Sequence, residues 1–314
     1  MLSVSVVLAQ EGLYNSGNFT VHNNAQVGLH TNLINDANFD QTTGLVGFYG
    51  NRPIMVTGSI PPTFWDTEIL MGNNVFLDIP LMVRNNVNFM LGDFLTPTNT
   101  PTVNLNFMED GFFGGESNAS KVVGFAEVNN RNVFSFPVGD AEQLRPLTFN
   151  AQGTVPQAIC AYFFENPSAP TSLSQTFNVE EKVNNIGTVT DREFWILQGN
   201  VPVQVTISWN TRSSLITIPN ATVESIIVVG WNKSSNQWVV IGNTAYSGDI
   251  TNGFVTSETF VPNDYAAITF GTVPLPTDTF AVNNPTLGNY FLSPNGDGIN
   301  DFLVIDGILL LEGF

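Results

Sequence analysis

Short runs in which apolar and polar residues alternate recur along most of the chain. In the first third, Ile54 and Val56 are separated by one residue, as are Val75 and Leu77. Alternation with a period of two places every second side chain on one face of a β-strand. The period of an amphipathic helix is essentially absent, so the pattern predicts an all-β fold.

Related segments recur at a regular spacing in this first region. The sequence VGLHTN at residues 27–32 returns as VGFYGN at residues 46–51, and VHNNAQV at residues 21–27 is echoed by VRNNVNF at residues 83–89. A period near ~20 residues is typical of parallel β-solenoids, in which each coil stacks its inward side chains on those of the next. We therefore predict a short parallel β-helix-like solenoid for residues 10–112. An antiparallel sandwich stays open as the alternative, because no coil motif recurs more than a few times.

The character of the chain changes over residues 113–276. Strand-like runs such as KVVGFAEV, AICAYFFE, VQVTISW and SIIVVGW are separated by clusters of turn-forming residues. Several short strands at such spacing are the signature of an antiparallel β-sandwich, which we predict for this region. Residues 277–289 are rich in Pro, Thr and Asn, the composition of a linker.

The sequence SPNGDGIND at residues 293–301 stands directly ahead of an apolar alternation of Phe302, Val304 and Ile308. This stretch resembles the opening of the gliding-motility-associated C-terminal domain, the type B sorting signal of the type IX secretion system in Bacteroidota. The resemblance implies export by the type IX secretion machinery, and an extracellular or outer cell-surface location. It also implies an immunoglobulin-like sorting domain. Because the chain ends at Phe314 after one predicted strand, we expect residues 290–314 to be the start of a truncated sorting domain.

Side-chain oxygens and glycines are interleaved within this sorting motif. The motif consists of Ser293, Pro294, Asn295, Gly296, Asp297, Gly298, Ile299, Asn300 and Asp301. Glycine permits left-handed backbone, and Asn and Asp cap tight turns with their own side chains, so a self-capped turn is one interpretation. A Ca²⁺ ion bound by Asn295, Asp297 and Asp301 is the other. The full EF-hand pattern is not met, since Val304 stands where that loop has a bidentate Glu, and no further cofactor is expected.

The N-terminus carries a short apolar run. Residues 2–8 are mostly apolar and end at Ala9, a small residue followed by the polar Gln10 and Glu11. This pattern predicts that residues 1–9 are the remnant of a secretory signal peptide, with a buried first strand as the alternative. No segment reaches the ~18 apolar residues that a membrane helix requires, so we expect no transmembrane segment.

The chain is strongly acidic, with 27 Asp and Glu against 9 Lys and Arg and a formal net charge of −18. This charge repels phosphate backbones, which excludes nucleic-acid binding as the function. Charged residues make up only 11% of the chain, so its solubility depends on neutral polar turns, as in many secreted β proteins. The single cysteine, Cys160, lies in an apolar run and is expected to be a buried free thiol.

No set of residues with catalytic spacing is evident. The two histidines, His22 and His30, lie in turn-rich sequence of the predicted solenoid, where surface histidines are favoured over a metal pair. A polysaccharide lyase or glycosidase needs clustered carboxylates or a cationic base, and the acidic and basic residues of the predicted solenoid do not form such a set. The members considered are Asp36, Asp40, Asp66, Glu68, Arg52 and Arg84. For Asp36 and Asp40, turn capping is the favoured role.

Aromatic residues offer a binding function. Trp195, Trp209, Trp231 and Trp238 lie within apolar strands, which favours core packing, although exposed tryptophans could stack on sugars. The expected function is that of a non-enzymatic secreted or cell-surface protein, adhesin-like or structural, whose partners are extracellular polysaccharide or other surface proteins. A glycan-binding module and a β-helix polysaccharide-degrading enzyme are the alternatives.

Overall fold

The computed structural model describes residues 12–40 and 42–274, together with two short strands near the C-terminus. Strands dominate the part of the chain that the structure describes, of which 52% is strand and 5% is helix. The prediction of an all-β fold is confirmed. The predicted signal peptide, the linker at 277–289 and the sorting motif at 293–301 lie outside the described residues. The proposed calcium ligands Asn295, Asp297 and Asp301 lie outside them as well.

The first half of the chain forms two sheets that it visits alternately. In chain order, the strands are β1 (Gly12–Asn15), β2 (Gln26–Leu29), β3 (Asn32–Asn35), β4 (Leu45–Gly50), β5 (Ile54–Gly58), β6 (Thr63–Met71), β7 (Val75–Leu77), β8 (Leu81–Leu91), β9 (Phe94–Leu95), β10 (Leu105–Phe107), β11 (Phe112–Gly114), β12 (Val122–Val123), β13 (Ala126–Phe136) and β14 (Val138–Gly139). The shorter sheet has the order β1-β3-β5-β7-β9-β12-β14, and the longer sheet begins β2-β4-β6-β8-β10-β13, with β11 beside β8.

All neighbouring strands within these two sets are parallel. The chain therefore forms a β-solenoid of about 6 turns, each of which contributes to both sheets. The solenoid prediction is confirmed, and the alternative of an antiparallel sandwich for this region is wrong. Parallel pairing extends past residue 112, where the sequence suggests the end of the region, to Gly139.

Stacked inward side chains explain why these segments coil. Leu33, Val56 and Leu77 occupy matching positions in three successive strands of the shorter sheet and are fully buried. Parallel sheets buried on the inner face require such apolar rows, because each coil alone cannot bury its hydrophobic side. The buried polar residues Asn15 and Asn35 pair with each other: the side-chain amide of Asn15 donates to Asn35 Oδ1 at 2.7 Å.

An antiparallel region follows the solenoid. Its elements are β15 (Leu147–Phe163), β16 (Phe194–Gln198), β17 (Gln204–Trp209), the 3₁₀-helices η1 (Thr211–Ser213), η2 (Leu215–Thr217) and η3 (Val223–Ser225), β18 (Ile226–Asn232), β19 (Gln237–Gly242), β20 (Ala245–Asp249), β21 (Asn252–Thr256), η4 (Pro262–Asp264) and β22 (Tyr265–Thr272). Strand β15 pairs antiparallel with β13, so the longer solenoid sheet continues into this region without a break.

Strand β15 supports two antiparallel arms. Its residues 147–150 pair with β17, which leads to β21 and β20, whereas residues 159–163 pair with β16, which leads to β22, β18 and β19. Trp209 of the first arm contacts Phe270 of the second in a T-shaped arrangement at 5.8 Å between ring centroids. The predicted antiparallel region is thus present, while its designation as a β-sandwich stays a prediction.

The larger of the two arms consists of β16, β22, β18 and β19. A second hydrophobic core covers the face of this arm that is turned away from the main core. The loop of residues 164–190 supplies Phe177, Ile186 and Val189, which pack with buried Trp231 and Trp238. No helix among the described residues is long and apolar enough to cross a membrane. Near the C-terminus, β23 (Leu303–Ile305) pairs antiparallel with β24 (Ile308–Leu310).

Candidate functional site

Outward side chains of the longer solenoid sheet line up in rows from coil to coil. The strand register places Gln26, Leu45, Asp66 and Asn86 in one row across β2, β4, β6 and β8. A second row, two positions further along each strand, consists of Gly28, Gly47, Glu68 and Asn88. Side chains two apart on a strand share a face, so the two rows form one surface.

The first row, together with Glu68 and Asn88 of the second, lines a groove with a volume of about 340 Å³. Trp65, Asp66, Glu68, Asn86 and Asn88 line it on β6 and β8. The side toward the first coil is formed by the loop of residues 23–25. We call this the axial groove, because its rows run along the solenoid axis, perpendicular to the strands. Three inter-strand steps separate β2 from β8, so the groove is about 14 Å long.

Glycines in the second row leave room for Tyr49. A Cβ atom built on Gly47 would overlap the ring and hydroxyl of Tyr49, and one built on Gly28 would lie 3.1 Å from the same ring. The side chain of Tyr49 therefore lies back across the glycine row. The His30 ring lies 5.7 Å from the Tyr49 ring, so both rings lie beside the groove.

Glu68 is fixed by two neighbours from adjacent coils. The Tyr49 hydroxyl donates to Glu68 Oε1, and Asn88 Nδ2 lies 3.4 Å from Glu68 Oε2. Burial, the hydrogen bond to Glu68 and the Glu68 charge raise the pKa of Tyr49 to about 12. The Tyr49 side chain is therefore a neutral hydrogen-bond donor near neutral pH, and it orients the carboxylate toward the groove.

Asp66 is held from one side only. Asn85 Nδ2 donates to Asp66 Oδ1 at 2.6 Å, while Asp66 Oδ2 accepts no hydrogen bond within the described part of the chain. Neither Asp66 nor Glu68 forms an ion pair with a Lys or Arg of residues 12–40 or 42–274. The axial groove thus contains two carboxylates whose charge is not compensated by a paired cation.

Trp65 supplies the aromatic surface of the groove. Its side chain is 38% exposed, whereas Trp195, Trp209, Trp231 and Trp238 are all buried. The expectation that those four tryptophans pack in the core is confirmed, and the alternative that they form a sugar platform is wrong. No sequence motif identifies Trp65 as a candidate binding residue.

The strand pairing explains why Trp65 and Asp66, although consecutive, both line the groove. Phe64 pairs with Val83 and Asp66 with Asn86, so β8 has one more residue than β6 in this interval. This bulge coincides with a break in the alternation of β6, where Trp65 and Asp66 are both accessible while Phe64 and Thr67 on either side are buried. The sequence shows Trp65 next to Asp66 but not the irregular strand pairing beside them. Trp65 could therefore not be predicted to lie at a binding site.

Other residues considered for chemistry have structural roles. The Ser59 backbone N–H and hydroxyl both donate to Asp36 Oδ1 at 2.8 Å, which lowers the pKa of Asp36 and joins two successive coils, while the role of Asp36 and Asp40 in capping their own turns stays a prediction. Cys160 is a buried free thiol, as expected from its apolar surroundings in the sequence, and burial raises the pKa of this thiol well above the ordinary value. No group of three or more His, Cys, Asp or Glu side chains among the described residues could hold a metal ion.

A buried polar cluster lies at the base of the antiparallel region. Arg145 donates to Glu193 Oε2 at 2.7 Å and to Ser213 Oγ at 3.0 Å, and the Tyr162 hydroxyl donates to the same Glu193 oxygen at 2.7 Å. The Arg145 guanidinium also lies over the Trp195 ring at 5.7 Å. Because Arg145 and Glu193 are buried, this cluster is inaccessible to ligands; it joins the segment between β14 and β15 to the residue that directly precedes β16.

No protein-family model matches the chain, and no curated protein or solved structure is significantly similar to it. The site must therefore be interpreted from its own geometry. An aromatic side chain beside carboxylate and amide side chains, stacked over several coils, is suited to binding an extended polar molecule.

Proposed function

We propose that this protein is a non-enzymatic, adhesin-like protein of the cell surface or extracellular space that binds polysaccharide in the axial groove. The observation that supports the proposal is the position of exposed Trp65 beside Asp66, Glu68, Asn86 and Asn88. Binding sites for small polar ligands combine apolar or aromatic surface with a few placed hydrogen-bonding groups. Repeat proteins use extended surfaces to bind extended partners, and a polysaccharide is such a partner.

Hydrogen bonding in the groove favours binding over catalysis. A lyase needs a base to abstract a proton, and Tyr49 is unsuited to that role because its pKa is raised to about 12. A glycosidase needs a carboxyl group that donates a proton, whereas Glu68 and Asp66 accept hydrogen bonds from Tyr49 and Asn85.

One observation favours the enzymatic alternative. Asp66 and Glu68 lie two residues apart on one strand, which places them about 7 Å apart, within the separation that inverting glycosidases use. The same experiment must therefore detect both binding and bond cleavage.

The binding test uses purified protein and a panel of neutral, amino and acidic polysaccharides, with affinity electrophoresis as the readout. Trp65→Ala is expected to abolish binding to the recognised polymer, because the aromatic face is lost. Tyr246→Ala removes an exposed aromatic side chain of β20, outside the groove, and serves as the matched control that keeps binding. Absence of binding to every polymer, or binding unaffected by Trp65→Ala, contradicts the proposal.

The catalytic test follows reducing ends and unsaturated products on the same panel. We expect none. Product formation that disappears in Asp66→Asn or Glu68→Gln would replace the binding function by glycoside hydrolysis.

We further propose export through the type IX secretion machinery, which is supported by the sorting motif of residues 293–301 and by the apolar start of the chain. Deletion of residues 290–314 from the gene in its native host is expected to retain the protein in the periplasm, as measured by surface labelling of intact cells. Deletion of residues 245–249, an exposed strand, is the control for a shortened chain. Undiminished surface display after the first deletion contradicts the export route.

A further inference from the structure

We infer that the axial groove selects polysaccharides that carry free amino groups, and that it discriminates against uronic-acid polymers. This inference rests on the proposed function, since it specifies the ligand of the same groove. It adds charge and hydrogen-bonding capacity to the aromatic contact made by Trp65.

The first step is the uncompensated charge. Asp66 and Glu68 lie side by side on the outward face of β6, without a Lys or Arg ion-pair partner within the described residues. The whole chain adds to this field, with a formal net charge of −18. A cleft with charge of one sign concentrates ligands of the opposite sign and repels those of its own.

The second step is the supply of hydrogen-bond acceptors. Asp66 Oδ2 accepts no bond from the described residues, and Glu68 Oε2 has only the long contact of 3.4 Å from Asn88. A protonated sugar amine has three N–H donors and no acceptor, so it matches these oxygens. The carboxylate of a uronic acid has acceptors only and would meet two like charges.

The third step is the choice between an organic cation and a metal ion as the ligand of the two carboxylates. Calcium takes 6–8 oxygen ligands, whereas the groove offers two carboxylates, and no metal-binding group of three or more side chains occurs in the described part. An ammonium group needs no such cage. It also gains from the neighbouring indole of Trp65, because cations are attracted to aromatic faces.

The experiment compares three oligosaccharides of equal length by isothermal titration calorimetry at mildly acidic pH, where sugar amines are protonated. They are a β-1,4-linked glucosamine oligomer, its fully N-acetylated form and a galacturonate oligomer. We expect the amine form to bind about tenfold more tightly than the acetylated form, the difference expected when a charge-assisted hydrogen bond replaces a neutral one. Binding of the galacturonate oligomer is expected to be undetectable.

Variants assign the preference to the two carboxylates. Asp66→Asn with Glu68→Gln is expected to equalise the affinities for the amine and acetylated forms, while Trp65→Ala abolishes both. Glu224→Gln, which removes an exposed carboxylate outside the groove, is expected to keep the preference. Circular dichroism of each variant checks that the strand signal is retained.

The outcomes distinguish the two proposals. Equal binding of the amine and acetylated oligomers by the native protein, with loss in Trp65→Ala, overturns the amine selectivity and leaves the glycan-binding function standing. Binding of none of the three oligomers overturns the selectivity, and the full polysaccharide panel then decides the function. Binding of polylysine that is kept in Trp65→Ala but lost in Asp66→Asn with Glu68→Gln also overturns the inference, because the groove would then be a general cation site.

Discussion

Tyr49 shows how one residue connects the repeat sequence to the groove. The glycines at positions 28 and 47 recur at the same place in neighbouring coils, and the space they leave holds the Tyr49 ring. Its hydroxyl donates to Glu68 one coil further along. The repeated glycine thus has two roles: it belongs to the repeat of the solenoid, and it leaves the space from which Tyr49 orients a carboxylate of the candidate site.

The raised pKa of Tyr49 gives a first prediction. Ultraviolet titration of the native protein minus that of Tyr49→Phe is expected to show a phenol that ionises at about pH 12. Because the folded-state pKa of Tyr49 lies above the ordinary value of about 10, neutral Tyr49 contributes fully to the free energy of unfolding below about pH 10. This contribution is lost as pH rises toward about 12. Glu68→Gln removes the hydrogen-bonded charge and is expected to lower the pKa. An ionisation near pH 10 that Glu68→Gln does not shift would contradict the contact.

Glu193 gives a second prediction at the same scale. Glu193→Ala leaves the buried Arg145 guanidinium without its carboxylate partner, and removal of one member of a buried pair costs about 3–5 kcal/mol in the free energy of unfolding. The exposed pair of Arg192 and Asp191 is the control, and Asp191→Ala is expected to cost less than about 1 kcal/mol. Urea denaturation measures both values, and similar losses for the two variants would argue against the buried cluster.

At the scale of elements, alternation of apolar and polar residues predicted the solenoid strands well. In β4, Val46 and Phe48 face inward and are fully buried, as their alternation indicates. Strand order, the extension of parallel pairing to Gly139 and the bulge between β6 and β8 were not predictable, because local periodicity carries no information about partner or register. The bulge coincides with the break in alternation that leaves Trp65 and Asp66 on one surface, so the candidate site could not be predicted for the same reason.

Phe48 tests the stacked core of the solenoid. Its ring contacts Phe64 at 6.3 Å and Phe94 at 5.8 Å between centroids, and it is fully buried. Phe48→Ala leaves a cavity between coils and is expected to lower the free energy of unfolding by about 3–5 kcal/mol. Met55→Ala, at an exposed position of β5, is expected to change it by less than about 0.5 kcal/mol. Equal losses measured by thermal or chemical denaturation would contradict the stacking.

At the scale of the whole molecule, the solenoid and the antiparallel region share one structure. The longer sheet runs from β2 through β13 into β15 and on to β19. One hydrophobic cluster contains Val46 and Phe48 of the solenoid as well as Trp195 and Phe270 of the larger arm. The change in strand and turn pattern near residue 113 predicts two separate regions. Such a pattern depends on the local environment of each strand, so it cannot show whether two hydrophobic cores are continuous.

Continuity of sheet and core leads to the last prediction, which concerns a fragment of residues 12–146. This fragment ends before β15 and exposes the edge of β13 over residues 126–136, together with Phe134 and Phe136, which are buried in the full protein. Unpaired edge strands with apolar side chains template aggregation. We expect the fragment to aggregate on size-exclusion chromatography, whereas residues 12–274 elute as a discrete species and unfold in a single calorimetric transition. A monodisperse fragment that melts cooperatively, or two separate transitions in the longer chain, would show that the solenoid folds without the antiparallel region.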